Sequence, residues 1–358
     1  MAKIDLSNIS HTYNPEDANP TYALNPFSMT WENGNRYAIL GPSGCGKTTM
    51  LNIVSGLVRP SGGKILFDNR DVTNLKTESR NIAQVFQFPV IYNTMTVYDN
   101  LAFPLKCREF AKEKIEERVQ SVSQTLNLSS FLNMPARKLT ADQKQLISLG
   151  RGLVREDVAA VLMDEPLTVI DPDLKFKLRR SLKEINEQYK TTLVYVTHDQ
   201  NEAMTFADNI IVMDQGEIVQ VGLPKDLFER PKTTFVGYFI GSPAMNIFNS
   251  EVVSNNSIKF SNLEINTKTD LSKIKNKKVK LGIRSEFIKI ANDQKENVID
   301  VKVSRVEDFG NFKLITGKIG EFEIKSKVER ETPISSENLK LFLPAEKCCV
   351  YSEERLVQ

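Results

Sequence analysis

The stretch that decides the fold is Gly41-Pro-Ser-Gly-Cys-Gly-Lys-Thr-Thr49, which fits the pattern GxxxxGK[ST]. The apolar run 37–40 precedes it and a helical pattern over 48–58 follows, so the context is strand, glycine-rich turn and helix. The glycines let backbone N–H groups turn inward around a polyphosphate, and the helix N-terminus adds a positive dipole end. The sequence therefore predicts a phosphate-binding loop, with a plain glycine turn at a helix start as the alternative.

Each residue type in this loop has an expected task. Lys47 should bridge the β- and γ-phosphates of a nucleotide, and the Thr48 hydroxyl should ligate Mg²⁺. Cys45 is either a redox-sensitive thiol in the loop's positive field or a small residue of which only the backbone N–H matters; the second interpretation is favoured. The loop residues expected to bind the nucleotide are Gly41, Ser43, Gly44, Cys45, Gly46, Lys47, Thr48 and Thr49.

Two carboxylates stand at the end of another apolar run, Val161-Leu-Met-Asp-Glu-Pro166. Open α/β sheets bind ligands at the carboxyl ends of their strands, so Asp164 should belong to a Mg²⁺ shell and Glu165 should orient or deprotonate a water. His198 and Gln87 follow two further apolar runs and should reach the same edge, with His198 near the γ-phosphate. The alternatives are a solvated turn, a structural histidine and an uninformative loop glutamine.

The composition indicates an ordinary folded protein. The 358 residues are 41% hydrophobic and 26% charged, with a formal net charge of +2. These values exclude wholesale disorder, and they provide no basic excess for non-specific nucleic-acid binding. No apolar run approaches 18 residues and the first residues lack an apolar signal core, so we expect neither a membrane-spanning helix nor a secretory signal. Four scattered cysteines predict neither a disulfide framework nor a zinc site.

The chain changes character at about residue 242. Before this point, continuous apolar runs alternate with helical patterns, which predicts a parallel sheet covered on both faces. After it, apolar residues alternate with others, as at Val301 and Val303, which predicts strands. The predicted domains are an α/β domain over 1–242, with a helical subdomain at about 93–155, and a small all-β domain over 243–358.

The order of the motifs is itself informative: the phosphate-binding loop, Gln87, a helical insertion, the stretch 139–143, the carboxylate pair, Asp171 and His198. This order resembles the ATPase subunit of an ABC transporter. The resemblance implies a P-loop NTPase of ABC type that uses ATP and Mg²⁺. It also implies adenine stacking by Tyr13, which by itself would be an ordinary strand aromatic. The implied roles are catalysis by Lys47, Gln87, Glu165 and His198, Mg²⁺ ligation by Thr48, Gln87 and Asp164, and a D-loop function for Asp171.

The C-terminal third narrows the resemblance. Residues 235–246 and 281–286 are similar to the linker and C-terminal β-domain of bacterial carbohydrate importers. That domain is OB-like, and in the family it serves dimerisation and regulation rather than nucleic-acid binding. The resemblance therefore implies an OB-like dimerisation or regulatory domain and no nucleic-acid partner.

Residues 139–143 occupy the position of the family's signature stretch, but they depart from its usual sequence Leu-Ser-Gly-Gly-Gln. In ABC dimers this stretch faces the γ-phosphate bound by the other subunit, where two unit charges about 5 Å apart would cost roughly 3 kcal/mol at an effective dielectric of 20. The Asp142 carboxylate must turn away, or the site that it completes is weakened. Alternatively, Asp is simply favourable in the first turn of a helix. The signature residues are Leu139, Thr140, Ala141, Asp142 and Gln143.

Variants in this stretch, in 168–171 and in 88–95 look most like the paired ATPases of bacterial glycerol importers. The resemblance implies a heterodimer with a second ATPase subunit, with a homodimer still possible, and uptake of a polyol or sugar, with glycerol favoured. It implies two membrane-spanning permease subunits docked near 88–105, where Val90, Ile91 and Tyr92 should be exposed apolar residues, and indirectly a periplasmic or extracellular solute-binding protein. The protein would lie peripherally at the cytoplasmic face of the inner membrane.

Other interpretations stay open. Segment 88–105 could instead pack locally within the helical subdomain. The solute could be another sugar, glycerol phosphate, a polyamine or an anion. A soluble ABC protein acting on ribosomes or DNA is disfavoured by the one P-loop and the lack of sustained heptads. A weakly hydrolysing regulatory partner is a further alternative, against which the intact Lys47, Glu165 and His198 argue.

Overall fold

The computed structural model of the protein describes residues 2–17, 19–168, 170–274, 278–334 and 337–357. They form two compact units, Met1–Pro224 and Lys225–Gln358. Every helix within the described residues is too short or too polar to span a lipid bilayer.

The first unit alternates strands and helices, as the apolar runs predict. Its strands are β1 (Ile4–Thr12), β2 (Tyr22–Trp31), β3 (Arg36–Leu40), β4 (Gly62–Phe67), β5 (Arg70–Asp71), β6 (Ala83–Val85), β7 (Val161–Asp164), β8 (Leu193–Thr197), β9 (Asn209–Asp214) and β10 (Glu217–Gly222). Its helices are α1 (Lys47–Ser55), α2 (Val97–Lys106), α3 (Lys112–Thr125), α4 (Ala141–Leu153), α5 (Pro172–Tyr189) and α6 (Gln200–Phe206).

The central sheet of this unit has the strand order β10-β9-β3-β8-β7-β6. All neighbouring pairs from β9 to β6 are parallel, and β10 pairs antiparallel with β9. Consecutive residues of β8, from Val194 to Val196, are 0% exposed, so both faces of the strand are covered. The prediction of a parallel sheet covered on both faces is confirmed. The segments that follow β3, β6, β7 and β8 therefore meet at one edge.

A second, antiparallel sheet in the same unit has the order β2-β1-β4-β5, and the sequence patterns did not predict it. Ile4 on β1 lies opposite Trp31 on β2 and Phe67 on β4. Ile4 and Trp31 are fully buried, and they belong to the same core as Ile39 of β3. This sheet therefore shares its core with the parallel sheet.

The helical insertion consists of α2, α3 and α4 and lies between β6 and β7 in the chain. Leu101 of α2, Val119 of α3 and Leu149 of α4 are 0% exposed and share a core with Val85 of β6. The insertion thus rests on the strand that leads to Gln87.

The second unit is largely β-structure, as the alternating pattern predicts. The helices are α7 (Pro224–Glu229) and α8 (Thr234–Phe239), and the strands are β11 (Asn246–Val252), β12 (Ser257–Phe260), β13 (Leu263–Asn266), β14 (Lys278–Ile283), β15 (Lys289–Ile290), β16 (Val298–Asp308), β17 (Phe312–Ile319), β18 (Phe322–Glu329), β19 (Asn338–Phe342), β20 (Cys349–Ser352) and β21 (Arg355–Leu356). The sheets have the orders β13-β12-β11-β14-β20-β21 and β15-β19-β16-β17-β18, and both are antiparallel. They enclose a core that includes Phe248, Phe260 and Ile299.

A buried arginine explains why this unit includes residues that precede 243. Arg284 is 0% exposed, and its guanidinium donates hydrogen bonds to the carbonyl oxygens of Phe228, Gly237 and Ile240. Segment 225–240 is therefore bound to the β-structure, and the compact units divide earlier than the predicted boundary between 242 and 243.

Candidate functional site

The phosphate-binding loop connects the end of β3 to the start of α1 at the carboxyl edge of the parallel sheet. Gly46 caps α1 with a φ of 100°, and a Cβ there would lie 2.5 Å from the carbonyl oxygen of Ala23. Gly44 has a φ of 80°, and no heavy atom lies within 4 Å of the position of its Cβ. The loop thus needs glycine for its shape and is open on the Gly44 side. Together with the first N–H groups of α1, which have no intrahelical acceptor, this cradle fits the phosphates of ATP.

Lys47 lies inside the loop and is only 7% exposed. Its Nζ donates hydrogen bonds to the carbonyl oxygens of Gly41 at 2.9 Å and Pro42 at 2.8 Å, which holds the ammonium group among the loop's carbonyls. Cys45 is 4% exposed, and its Sγ lies 3.8 Å from Lys47 Nζ. Burial raises the pKa of the Cys45 thiol although the lysine charge acts in the opposite direction. This favours the interpretation of Cys45 as a small packing residue over a reactive thiol.

Thr48 and Asp164 form the candidate Mg²⁺ site. Asp164 ends β7 and is 9% exposed, and burial raises the pKa of its carboxyl group, although a hydrogen bond from the Thr48 side chain acts in the opposite direction. A cation between these oxygens would offset the cost of burying the carboxylate. Mg²⁺ is bound in proteins by one or two such oxygen ligands together with substrate phosphates, so the pair fits this ion.

The carboxylate of Glu165 is the point at which the other predicted residues meet. Its Oε2 accepts a hydrogen bond from Gln87 Nε2 at 3.4 Å and lies 3.2 Å from His198 Nδ1. Thr168 Oγ1 lies 3.4 Å from the same oxygen. Glu165 has a φ of 46°, which is rare for a residue with a side chain and is typical of functional sites. The structure therefore brings Gln87, Glu165 and His198 together, as the sequence predicts for one sheet edge.

Tyr13 stands beside the start of α1. Its side chain is 60% exposed, and its hydroxyl lies 3.1 Å from Thr49 Oγ1. The ring of His11 packs edge-on against it, with the ring centroids 4.5 Å apart. An exposed ring that is held next to the phosphate-binding loop has the geometry expected for stacking on a base.

The signature stretch forms the N-terminus of α4. Thr140 is the N-cap: its Oγ1 accepts a hydrogen bond from Gln143 N at 3.4 Å, and Gln143 Oε1 accepts one from Thr140 N at 3.1 Å. Asp142 lies in the first turn, where a negative charge is favourable with or without a ligand. Asp171 similarly caps α5 by accepting a hydrogen bond from Asp173 N at 2.9 Å.

Known proteins match this arrangement over nearly the whole chain. The family described as "ABC transporter" matches residues 24–168, and the one described as "MalK OB fold domain" matches residues 241–288. The sn-glycerol-3-phosphate import ATP-binding protein UgpC of Pectobacterium atrosepticum is 36% identical over 348 residues, which are 96% of each chain. The chain belongs to the ATP-binding subunits of ABC transporters.

Further relatives extend the comparison. The trehalose/maltose import ATP-binding protein MalK of Thermococcus litoralis is 37% identical over 315 residues, which cover 83% of this chain and 84% of the relative. Among solved structures, cbiO1 from Clostridium perfringens has a TM-score of 0.57 and 26% identity, and the match covers 63% of this chain and 90% of the cbiO1 chain. The ATP-binding cassette MJ0796, a dimer bound to ADP and Pi after hydrolysis, has a TM-score of 0.56 and 28% identity, and covers 62% of this chain and 98% of its own. As an ABC ATPase, the protein hydrolyses ATP with Mg²⁺, forms dimers and works with membrane permease subunits.

A buried glutamate that the sequence patterns did not single out supports the histidine end of the ABC site. Glu202 is 4% exposed, and its Oε2 accepts hydrogen bonds from Tyr195 Oη and Thr197 Oγ1, both at 2.8 Å. Its Oε1 lies 3.5 Å from Lys175 Nζ and from Arg179 Nη1. The cluster joins α5, β8 and α6 next to His198. Only a charged residue on the inward face of a short helix could have indicated it.

A second such residue is Gln145 on α4. It is 0% exposed although it is polar, and its Nε2 donates hydrogen bonds to the carbonyl oxygens of Phe86 and Pro166. It lies on the buried stripe of α4 with Leu146 and Leu149. A glutamine within an apolar stripe is the only sequence signal that pointed to it.

Proposed function

We propose that this protein is the motor subunit of an ABC importer for a polyol or a sugar, with glycerol the favoured solute. The single observation that carries the motor function is the meeting of Gln87 and His198 at the Glu165 carboxylate, on the sheet edge that also holds the phosphate-binding loop. The names of two relatives, import proteins for sn-glycerol-3-phosphate and for trehalose/maltose, support the direction of transport and the class of solute. The subunit would act at the cytoplasmic face of the membrane, where its permeases hold it.

In the proposed reaction, Glu165 orients the attacking water and accepts its proton. Gln87 and His198 fix the direction of the carboxylate from two sides. The His198 side chain is 61% exposed, so it can also contact a γ-phosphate, while Lys47 holds the β- and γ-phosphates. The proposed Mg²⁺ ligands are Thr48, Gln87 and Asp164.

Glu165→Gln tests these roles, because it keeps the side-chain shape and removes the base. We expect ATP to bind within about twofold of the wild-type affinity, while turnover falls by at least ~100-fold. Lys47→Ala should weaken ATP binding instead. Glu187→Gln, in a carboxylate whose side chain is 66% exposed, is the matched control. A wild-type turnover rate of Glu165→Gln would remove Glu165 from the base role.

The proposed permease-docking surface is Phe88, Val90 and Tyr92 together with Arg151 of α4. Phe88 is 71% and Val90 is 53% exposed. Grouped exposed apolar side chains are unfavourable in water and are typical of an interaction surface. Arg151 binds this segment: its Nη1 donates to the Val90 carbonyl oxygen at 2.5 Å, and its guanidinium lies 4.7 Å from the centroid of the Tyr92 ring. The prediction that Ile91 is exposed is wrong, because its side chain is partly buried against the core of the helical insertion. Local packing also accounts for Tyr92, whose ring lies 4.7 Å from that of Phe103, but not for Phe88.

The charge of the adjoining pocket defines the occupant. Arg108, Arg151 and Arg155 line it beside Phe103 and Pro104. Arg108 and Arg155 share one carboxylate, Asp157, each at 3.3 Å, so the three arginines keep a positive excess. A permease helix with apolar side chains and an acidic residue would complement this surface. Phe88→Asp should reduce recruitment of the subunit to permease-containing membranes without changing its own ATPase rate. Unchanged recruitment would refute the docking surface; Phe309→Asp, at a 56% exposed aromatic of the second unit, is the control.

We also propose that the functional dimer pairs this subunit with a different ATPase subunit. The support is Asp142, which puts a carboxylate in the stretch that completes the partner's ATP site. In such a pair, the site completed by this chain would be the slower one. Co-expression of both subunits followed by size-exclusion chromatography and transport assays tests the pairing. A symmetric homodimer of this chain with full transport activity would refute it.

Uptake assays test the solute. In a strain that lacks this gene, import of labelled glycerol should fall and should be restored by the wild-type gene but not by Glu165→Gln. A second candidate, sn-glycerol-3-phosphate, is favoured by the similarity to UgpC, an import protein for this solute. Loss of its uptake with glycerol uptake intact would select this candidate. If the strain kept its uptake of glycerol, of sn-glycerol-3-phosphate and of every sugar tested, the proposed solute class would be refuted.

A further inference from the structure

One buried amide connects the two loops that carry Gln87 and Glu165. Gln145 lies in the second turn of α4 and is 0% exposed. Its Nε2 donates hydrogen bonds to the carbonyl oxygens of Phe86 at 3.1 Å and of Pro166 at 2.9 Å. Phe86 directly precedes Gln87, and Pro166 directly follows Glu165. A single side chain therefore fixes the backbone next to both residues.

We infer that Gln145 is a positioning residue for ATP hydrolysis, which sets the separation of Gln87 from Glu165. The inference rests on the roles proposed above for these two residues. Their contact of 3.4 Å spans two separate loops, so it depends on something that holds both loops. Glu165 has a φ of 46°, a conformation that persists only when its surroundings enforce it. The two N–H groups of one planar amide provide such a restraint, because they diverge at a fixed angle to two acceptors.

The Gln145 side chain is held in place by the two hydrogen bonds that its Nε2 donates. Its Oε1 is buried and has no hydrogen-bond partner within the part of the chain that the structure describes. The orientation of the amide therefore follows from the two carbonyls alone, and in turn the carbonyls have no freedom to separate without losing a bond. A side chain whose task was only to fill the core would be apolar at this position, as Leu146 and Leu149 are on the same face.

Gln145 also links this restraint to the signature stretch. α4 begins at Ala141, capped by Thr140, and Gln145 follows one turn later. A helix moves as a rigid element over so short a distance, so a displacement of its N-terminus carries the amide with it. The distance between Gln87 and Glu165 thereby becomes dependent on the position of α4.

The test compares variants of the full chain. Gln145→Met keeps the length and apolar volume but removes both donors, while Gln145→Glu keeps the shape and has one donor when protonated. Asn186→Leu is the matched control: Asn186 is 4% exposed, and its Nδ2 bridges the carbonyl oxygens of Gly34 at 2.8 Å and Thr191 at 2.7 Å, in another part of the unit. Glu165→Gln is measured in parallel. The readouts are kcat and KM for ATP, and hydrogen exchange of the Glu165 and Thr168 amides.

We expect Gln145→Met to lower kcat by about 10- to 100-fold with KM within about twofold, because small misplacement of reacting groups has this effect. Exchange of the Glu165 and Thr168 amides should accelerate in Gln145→Met but not in Asn186→Leu, which should keep kcat within about twofold. The rate of Gln145→Glu relative to wild type should rise as the pH falls from 8 to 6, because only the protonated carboxyl group donates. The ratio for Gln145→Met should stay constant over the same range.

Three results would overturn the inference. The first is a kcat of Gln145→Met within twofold of wild type while Glu165→Gln is inactive. The second is an equal loss of kcat in Asn186→Leu, and the third is unchanged exchange at Glu165 and Thr168. Either of the last two would mean that Gln145 contributes only to general stability. Normal turnover by Glu165→Gln would instead refute the proposed function, and the exchange data would still decide whether Gln145 holds the loops.

Discussion

Replacing Glu202 by Gln should destabilise the first unit by about 2–4 kcal/mol. The carboxylate is 4% exposed, and its Oε1 lies 3.5 Å from both Lys175 Nζ and Arg179 Nη1. Removing one member of a buried ion pair costs about 3–5 kcal/mol, because the remaining charge stays buried and unpaired. The side chains of Lys175 and Arg179 are 24% and 15% exposed, so water screens part of that cost and lowers our figure.

This prediction can be measured with a natural probe. The sequence contains one tryptophan, Trp31, which is buried in the core of the first unit, so its fluorescence reports the unfolding of that unit. For a unit of this size, each kcal/mol shifts Tm by about 2–4 °C, so a loss of about 2–4 kcal/mol should lower Tm by roughly 4–16 °C. Glu184→Gln is the matched control, since Glu184 and Arg180 are 60% and 78% exposed and their ion pair should contribute less than about 1 kcal/mol.

A fall in Tm of less than about 2 °C for Glu202→Gln, or one no larger than that of Glu184→Gln, would refute the reasoning. A double-mutant cycle with Tyr195→Phe gives a second criterion. Tyr195 Oη donates to Glu202 Oε2 at 2.8 Å, so the two changes should be non-additive by about 0.5–3 kcal/mol. Additive effects would mean that this hydrogen bond does not contribute to the cluster.

Three other predictions follow from single features. Gly46→Ala should weaken ATP binding by at least ~10-fold and more than Gly44→Ala, because a Cβ at Gly46 would lie 2.5 Å from the Ala23 carbonyl oxygen, whereas the space around Gly44 is open. A fluorescent ATP analogue measures the affinity of both variants, and equal affinities would contradict the argument. Burial raises the pKa of Cys45, so its alkylation at pH 7.5 should be slower than that of the exposed Cys107, should accelerate towards pH 9 and should slow further with MgATP. Peptide mass spectrometry measures these rates, and equal rates at both cysteines would refute the prediction. Arg284→Met should destabilise the second unit by at least about 3 kcal/mol, because three carbonyl oxygens lose their donor; calorimetry would show this, with the 53% exposed Arg330→Met as the control that leaves the transition in place.

The elements nearest the site were predictable because their signals are local. The run 37–40, the loop and the following helix could be recognised without knowledge of any distant contact, and β3 and α1 lie there. The predicted helix 48–58 nevertheless ends at Ser55, because Gly56 takes a φ of 84° and caps it. The predicted strand 82–87 is shorter for another reason: β6 ends at Val85, and the next carbonyl accepts its hydrogen bond from a side chain instead of a strand.

What the sequence could not predict depends on contacts between distant residues. The sheet of β1, β2, β4 and β5 requires Ile4 to face both Trp31 and Phe67, and no local pattern contains that register. Glu202 and Gln145 have ordinary residue types, and their importance becomes visible only through partners elsewhere in the chain. By contrast, Gln87, Glu165 and His198 could be grouped in advance, since parallel strands deliver their ends to one edge.

The guanidinium of Arg284 decides where the protein can be cut. A fragment that starts at residue 243 would contain this buried charge but none of the carbonyl oxygens of Phe228, Gly237 and Ile240 that accept its hydrogen bonds. In such a fragment the Arg284 guanidinium would be buried without hydrogen-bond acceptors or would become exposed to solvent. We therefore expect the fragment to be insoluble. A fragment that starts at Lys225 keeps donor and acceptors together, so gene-fusion partners, affinity tags and protease sites belong before that residue.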